Sequence, residues 1–191
     1  MIKAVIFDCF GVLVAEGWKP FATKHFGEAT EENERRKWAN SRMHTVSRGE
    51  MTHEELAVEM EKVTGVPQNE FLDELHFNPL DEPLLTYIKT ELKPHFKIGF
   101  VSNVGANRLA DLFSPEQIAL FDEIVLSFEV GMAKPETGIY GHTVKLLGVL
   151  PEECVFVDDT QLYCDGAEAV GMQSILYTEF NSFKQQLEEM I

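Results

Sequence analysis

Residues 2–12 read IKAVIFDCFGV, a mostly apolar run that reaches an acid and then a glycine. Its first six residues, Ile2–Phe7, are rich in apolar and β-branched side chains, which is typical of a strand buried on both faces of a sheet. Similar runs recur along the chain, at Phe96–Val101, Ile124–Leu126, Cys154–Val157 and Ser174–Tyr177. We therefore predict five strands.

Helical patterns lie between and after these strands, at Asp81–Leu92, Ala106–Phe113, Glu136–Leu147, Gly166–Val170 and Ser182–Ile191. In the first of them Asp81 is a suitable N-cap, and Pro83 stands in the first turn. Strands that alternate with helices predict parallel βαβ units with helices on both faces of the sheet. The predicted fold class is α/β with a doubly wound parallel sheet.

Residues 16–80 interrupt the alternation because they contain no strand pattern. Four helical stretches fill this segment, at Lys19–Phe26, Thr30–Met43, Thr52–Thr64 and Gln68–Leu75. Thr52 and Glu55 make a capping-box pattern at the start of the third stretch. We predict an α/β core of residues 1–15 and 81–191, into which a small all-helical cap of residues 16–80 is inserted.

The composition excludes several classes of protein. Lys and Arg number 16 against 32 Asp and Glu, so the formal net charge is −16. A surface this acidic repels phosphate backbones and anionic membranes, and we expect neither nucleic acid nor a membrane as a partner. The cysteines lack the spacing of a disulfide framework or a zinc site, and Ala4–Ala15 is too short to span a bilayer. We expect a cytoplasmic protein, either a monomer or a homodimer.

Polar residues stand at the ends of the predicted strands. Asp8 follows the first strand, Ser102 and Asn103 follow the second, and Asp158-Asp159 follow the strand Cys154–Val157, while Lys134 precedes a helix. Ligands of open parallel sheets bind beyond the carboxyl ends of the strands, so we expect these groups to meet there. Each has an ordinary alternative as a turn, a helix cap or a surface lysine, but their joint order favours a site.

Three crowded carboxylates, Asp8, Asp158 and Asp159, raise one another's pKa values unless a cation lies among them. Ligation by oxygen alone is typical of Mg²⁺, which would also bridge to a phosphate. Asp8 is suited to nucleophilic attack on phosphorus. This set of residues therefore points to metal-assisted hydrolysis.

Four motifs resemble those of the haloacid dehalogenase (HAD) superfamily of hydrolases: VIFDCFGVL its nucleophile motif, GFVSN its serine/threonine motif, GMAKPETGIY its lysine motif, and VFVDDTQLYCDGAEAVGM its acidic motif. They cover residues 1–14 and about 84–178. The insertion resembles the helical cap of one subfamily, and RGEMTHEEL within it is closest to α-glucose-1-phosphate-phosphatase-like members.

The resemblance implies a HAD Rossmann-like core and a Mg²⁺-dependent phosphatase of small phosphorylated metabolites, such as sugar phosphates, with an aspartyl phosphate on Asp8. It implies catalytic roles for Asp8, Ser102 and Lys134. Substrate binding falls to Ser102, Asn103 and Lys134. The implied metal ligands are Asp8, the backbone carbonyl of Phe10, Asp158 and Asp159, with Asp158 acting through water.

Phe10 departs from the phosphatase pattern, which has a second Asp there as general acid and base. Such help is worth ~10²–10⁴ in rate. One interpretation is a phosphatase in which another group or water supplies the proton. A second is a 2-haloacid dehalogenase acting on a halogenated metabolite through Asp8, since halide leaves without a proton. A third is a weakly catalytic, metal-binding scaffold protein.

Overall fold

The computed structural model describes residues 1–191 and contains five strands. These are β1 (Ala4–Phe7), β2 (Lys97–Ser102), β3 (Glu123–Leu126), β4 (Cys154–Asp158) and β5 (Gln173–Leu176). All neighbouring strands are parallel, in the order β3-β2-β1-β4-β5. The predicted α/β fold class is confirmed.

Helices connect these strands and form the insertion after β1. Four lie in the insertion: α1 (Trp18–Phe26), α2 (Glu34–Ser47), α3 (His53–Thr64) and α4 (Gln68–His76). The remainder are α5 (Glu82–Tyr87), which continues as a π-helical turn over Ile88–Leu92, α6 (Leu109–Leu112), α7 (Pro115–Ile118), α8 (Ser127–Val130), α9 (Thr137–Leu147), α10 (Gln161–Glu168) and α11 (Phe180–Met190). No helix combines the length and the apolar character needed to cross a membrane.

The two faces of the sheet bury different apolar clusters because successive strand residues point to opposite sides. From β1, Val5 and Phe7 belong to a cluster of 23 buried residues, whereas Ala4 and Ile6 belong to a second cluster of 12. All four residues of β1 are buried. The central strand is therefore covered on both sides, as its composition predicts.

The helices of the insertion have an apolar cluster of their own. Its 12 buried residues all lie between Trp18 and Leu75, and the capping box of Thr52 and Glu55 is present at the start of α3. The chain leaves and re-enters the core side by side, since Ala15 N donates to Pro79 O at 2.8 Å. These contacts support the division at residues 16 and 80, which we retain as a proposal.

The helix predicted at Thr30–Met43 lies four residues later, as α2 (Glu34–Ser47) with Asn33 as its N-cap, and two other predicted helices differ at a local turn. The helix predicted at Ala106–Phe113 is helical only over α6, because Asn107 accepts from Leu109 N in a local turn and Phe113 is extended. The helix predicted at Gly166–Val170 begins earlier, at Gln161, and ends before Gly171, whose φ is +97°. In both cases the local turn at a helix end outweighed the apolar periodicity.

Candidate active site

The polar groups at the strand ends lie side by side because their strands are neighbours in the sheet. Asp8 directly follows β1, and its backbone N–H donates to Val157 O of β4 at 2.9 Å. Asp158 is the last residue of β4 and Asp159 follows it. One carboxylate oxygen of each of these three acids lies within 4.8 Å of the others.

Lys134 is the buried cation of this cluster. Its Nζ lies 2.7 Å from Asp8 Oδ1 and 2.6 Å from Asp158 Oδ2, and its side chain is 1% exposed. The ring of Tyr163 lies 4.9 Å from the same Nζ, a cation–π distance. A buried ammonium thus holds the nucleophile candidate and one acid of the pair in fixed positions.

Asn103 fixes the backbone that carries Lys134. Its Nδ2 donates to Lys134 O at 2.9 Å, and its Oδ1 accepts from Lys134 N at 2.9 Å. Both polar atoms of the amide are engaged, which supports a positioning role for Asn103. Its contact with substrate stays a prediction.

Ser102 ends β2 beside the acids, where it is 1% exposed. Its buried Oγ has no hydrogen-bond partner. Buried hydroxyl groups are almost always hydrogen-bonded, so an orphaned one calls for an explanation. A substrate oxygen bound at this position would supply the missing bond.

Burial and mutual repulsion shift the protonation of the cluster. Burial and the charge of Asp158 raise the pKa of Asp8 to about 8, against the opposing effect of Lys134. Burial likewise raises the pKa of Asp158. For Lys134 burial acts to lower the pKa, but Asp158 and Asp8 outweigh it and the pKa is raised. Burial and their mutual repulsion therefore disfavour ionisation of Asp8 and Asp158 together, and Lys134 offsets this only in part.

The donor set fits a divalent cation. Three carboxylates converge, two of them buried, and burial together with the charge of Asp158 raises the pKa of Asp8, a shift that a cation among the acids would oppose. Gly11 leaves room beside them, because its φ is +87° and a methyl group there would collide with the Asp159 carboxylate. Oxygen ligands of this kind suit Mg²⁺.

Phe10 lies at the edge of the site and brings no acid to it. Its side chain is half-buried and packs against the larger apolar cluster. The backbone at this turn is held by Gly11 N, which donates to Val14 O at 2.7 Å. The predicted role of the Phe10 carbonyl as a metal ligand stays a prediction.

Two cap residues that sequence reasoning did not include reach the site. Lys19, on α1, forms an ion pair with Asp159, and Glu16 lies 3.6 Å from the Lys19 ammonium. Burial raises the pKa of Glu16 to about 7. Neither residue belongs to a strand-end motif, so no signal in the sequence places them there.

The matching family model is that of the haloacid dehalogenase-like hydrolases, which covers residues 2–171. The chain therefore belongs to this family of hydrolases. The match spans most of the chain and includes Asp8, Ser102, Lys134 and the Asp158-Asp159 pair.

Relatives with established names match shorter stretches. The bifunctional epoxide hydrolase 2 of Sus scrofa is 28% identical over 116 residues, which are 58% of this chain and 21% of that protein. The sesquiterpene phosphatase astK of Aspergillus oryzae is 33% identical over 72 residues, 38% of this chain and 37% of that protein. The chain thus spans well under half the length of either relative.

A solved structure is similar over nearly the whole chain. The HAD family enzyme of Bacteroides thetaiotaomicron, in complex with magnesium and inorganic phosphate, superposes with a TM-score of 0.66 and covers 96% of this chain and 99% of that one. The two are 20% identical. At this identity the likeness establishes the fold.

Proposed function

We propose that this hydrolase is a Mg²⁺-dependent phosphatase of small phosphorylated metabolites, with Asp8 as nucleophile. The observation that carries the proposal is the cluster itself, in which Asp8 and Asp158 share the buried ammonium of Lys134 beside the unbonded hydroxyl of Ser102. A sesquiterpene phosphatase among the relatives supports phosphate esters as the substrate class. Sugar phosphates, suggested by the resemblance to α-glucose-1-phosphate-phosphatase-like members, are the first substrates to test.

Each residue of the cluster has a proposed role. Asp8 attacks phosphorus and forms an aspartyl phosphate, which divides one displacement into two steps. Lys134 and Ser102 hold the phosphoryl oxygens, and Asn103 holds the backbone of Lys134 in place. Asp8, Asp159 and the Phe10 carbonyl would hold Mg²⁺, with Asp158 through water. When bound, Mg²⁺ supplies positive charge to the transferred phosphoryl group.

The dehalogenase alternative fits this cluster less well. A 2-haloacid is an anion, and the Asp158-Asp159 pair adjoins the position where it would bind. Without a metal, that carboxylate substrate would face the like charges of these two acids. The observed acids therefore favour the phosphatase over the dehalogenase.

The test is hydrolysis of p-nitrophenyl phosphate and a panel of sugar phosphates, with Mg²⁺ and with EDTA. We expect turnover that requires Mg²⁺ and is lost in Asp8→Asn. Asp73→Asn, which changes an exposed acid of the cap, is the matched control and should keep full activity. Chloride release from 2-chloropropionate in EDTA would instead establish the dehalogenase. Binding of Mg²⁺ without any turnover would favour the weakly catalytic scaffold protein.

A further inference from the structure

The leaving group of a phosphate ester needs a proton, and the usual position for its donor is occupied by Phe10. This consideration rests on the proposed phosphatase function. Loss of general acid and base help costs ~10²–10⁴ in rate. A carboxyl group close to the site but outside the four motifs would supply this proton instead.

Glu16 is such a group. It follows Ala15, at the point where the chain leaves the core for the cap, and Ala15 is held there by its hydrogen bond to Pro79. The Lys19 ammonium contacts Asp159 on one side and Glu16 Oε2, at 3.6 Å, on the other. Glu16 therefore lies close to the acid cluster, with the Lys19 ammonium between it and Asp159.

The Glu16 carboxyl group is held by the Lys19 ammonium alone, and only as a loose ion pair of 3.6 Å. Its Oε2 is buried and has no hydrogen-bond partner, although the side chain as a whole is 23% exposed. Burial raises its pKa to about 7, Lys19 opposes this shift and Asp159 adds to it. A carboxyl group whose pKa is close to the working pH both donates and accepts a proton readily.

We propose that Glu16 is the general acid and base of this hydrolase, in place of the carboxyl group that Phe10 lacks. In the first step Asp8 Oδ bonds to phosphorus, the bond from phosphorus to the leaving oxygen breaks, and Glu16 gives its proton to that oxygen. In the second step Glu16 accepts a proton from water as the water oxygen bonds to phosphorus. The bond from phosphorus to Asp8 then breaks, inorganic phosphate leaves, and Glu16 is protonated again.

Glu16→Gln separates this role from a structural one through the choice of leaving group. p-Nitrophenolate leaves without a proton, whereas the alkoxides of sugar and glycerol phosphates need one. We expect kcat/KM of Glu16→Gln to fall about 100-fold or more for the alkyl esters and to change little for p-nitrophenyl phosphate. Hydrolysis of the aspartyl phosphate lacks its base in Glu16→Gln, so kcat for p-nitrophenyl phosphate falls. A burst of p-nitrophenol then shows that aspartyl phosphate accumulates.

Two further variants test whether the effect is specific to the carboxyl group of Glu16. Glu74→Gln is the matched control, because Glu74 is also a cap glutamate paired with a lysine, Lys24, at 3.0 Å. It should leave both ester classes unchanged. Glu16→Asp retains a carboxyl group and should recover part of the activity on alkyl esters. An equal loss of kcat/KM on both ester classes in Glu16→Gln would overturn the proposal.

A readout without turnover is the ¹³C NMR titration of the glutamate carboxyl groups in the wild-type protein. The resonance missing from Glu16→Gln should titrate well above the ordinary glutamate pKa of about 4.3. Titration at the ordinary value would contradict the proposal. The rise in Tm with Mg²⁺ and inorganic phosphate should be the same in Glu16→Gln, since Glu16 binds neither.

The two proposals fail in different ways. If the wild type hydrolyses alkyl phosphates and Glu16→Gln does so equally well, the phosphatase function stands and the role of Glu16 is wrong. Wild-type turnover restricted to p-nitrophenyl phosphate also overturns the role of Glu16, because no proton donor then acts. If the wild type hydrolyses no phosphate ester, both proposals fall together.

Discussion

At the scale of single residues, Lys134 places a buried ammonium group between two buried acids. Its ammonium contacts Asp8 and Asp158, and only 1% of its side chain is exposed. Removing one partner of a buried ionic group leaves uncompensated charge, which is more costly than loss of an exposed ion pair. Lys134 therefore stabilises the fold as well as the site.

In Lys134→Gln we expect the free energy of unfolding of the metal-free protein to fall by about 3–5 kcal/mol at pH 8. Without the ammonium, the pKa values of Asp8 and Asp158 rise further above those in the unfolded chain. The folded state then binds more protons than the unfolded state, so stability decreases as the pH rises. The deficit should shrink toward pH 5, as measured by urea denaturation in EDTA.

The control for this variant is Lys184→Gln. Lys184 pairs with Glu188 at 3.8 Å on the surface, with 44% of its side chain exposed. Exposed pairs contribute little, so its loss should change stability by less than about 0.5 kcal/mol. A pH-independent deficit in Lys134→Gln would show that packing, rather than charge, is what Lys134 provides.

Gly11 combines a left-handed backbone with close contact to an acid. Its φ is +87°, and a Cβ there would collide with the Asp159 carboxylate. We expect Gly11→Ala to abolish the stabilisation by Mg²⁺ because Asp159 must move. Gly65→Ala is the control, since its φ is +79° but nothing lies within 4 Å of the added Cβ. Thermal melts with and without Mg²⁺ should show a loss of the metal effect in Gly11→Ala alone.

At the scale of elements, the start of α5 joins the returning chain to the core. Asp81 Oδ1 accepts from Leu84 N at 3.0 Å as the N-cap, and Asp81 Oδ2 accepts from the Tyr177 hydroxyl at 2.5 Å. Asp81 N also donates to Leu13 O at 2.9 Å. One side chain thus begins a helix and ties it to the segment after β5.

Asp81→Ala should destabilise the protein by about 2 kcal/mol, because it removes the N-cap hydrogen bond of α5 and the hydrogen bond to the Tyr177 hydroxyl. Tyr177→Phe removes only the hydrogen bond between the Tyr177 hydroxyl and Asp81, and should lower the free energy of unfolding by about 1 kcal/mol. Urea denaturation of both variants and of the double variant separates the two contributions. Equal losses of unfolding free energy in the two single variants would mean that the N-cap hydrogen bond of Asp81 contributes nothing.

At the scale of the whole molecule, the cap meets the core on two sides of the site. Ser47 O lies 3.1 Å from Ser127 Oγ, and Arg48 pairs with Glu136 at 3.8 Å. On the other side Lys19 pairs with Asp159. Movement of the cap would break these contacts and uncover Asp159, and we propose that the cap in this way affects which leaving group the site accepts.

The net charge of −16 acts on stability in two ways. Salt screens the general self-repulsion, whereas Mg²⁺ also binds the acid cluster at the proposed site. At about 100 times its dissociation constant Mg²⁺ contributes about 2.7 kcal/mol, which raises Tm by about 5–10 °C in a chain of this size. NaCl of equal ionic strength should raise Tm by less, as measured by calorimetry.

Asp159→Asn should remove the additional effect of Mg²⁺ and leave the effect of NaCl. The exposed Asp73 serves as the comparison, because Asp73→Asn makes the same change of charge away from the cluster. An equal effect of the two salts on the wild type would contradict a specific cation site.

Much of the fold was predictable because its signals are local. A buried parallel strand must be apolar on both faces, so β1, β2 and β4 are visible as short runs, whereas the edge strands β3 and β5 are partly exposed and have a weaker pattern. The position of Asp8, Ser102 and Asp158 follows from the same rule, since parallel strands end at one edge of the sheet. Helix ends were less predictable, as at α6 and α10, because a single side-chain bond or glycine moves them.

The sequence alone thus determined the sheet, the family and the acids at the strand ends, all of which depend on near neighbours or on strand direction. Only the tertiary structure decided which cap residues reach those acids. Lys19 and Asp159 are separated by 140 positions, and their contact depends on how the apolar faces of α1 to α4 pack against one another and orient the cap. Glu16 comes to the site through that packing, which no local pattern encodes.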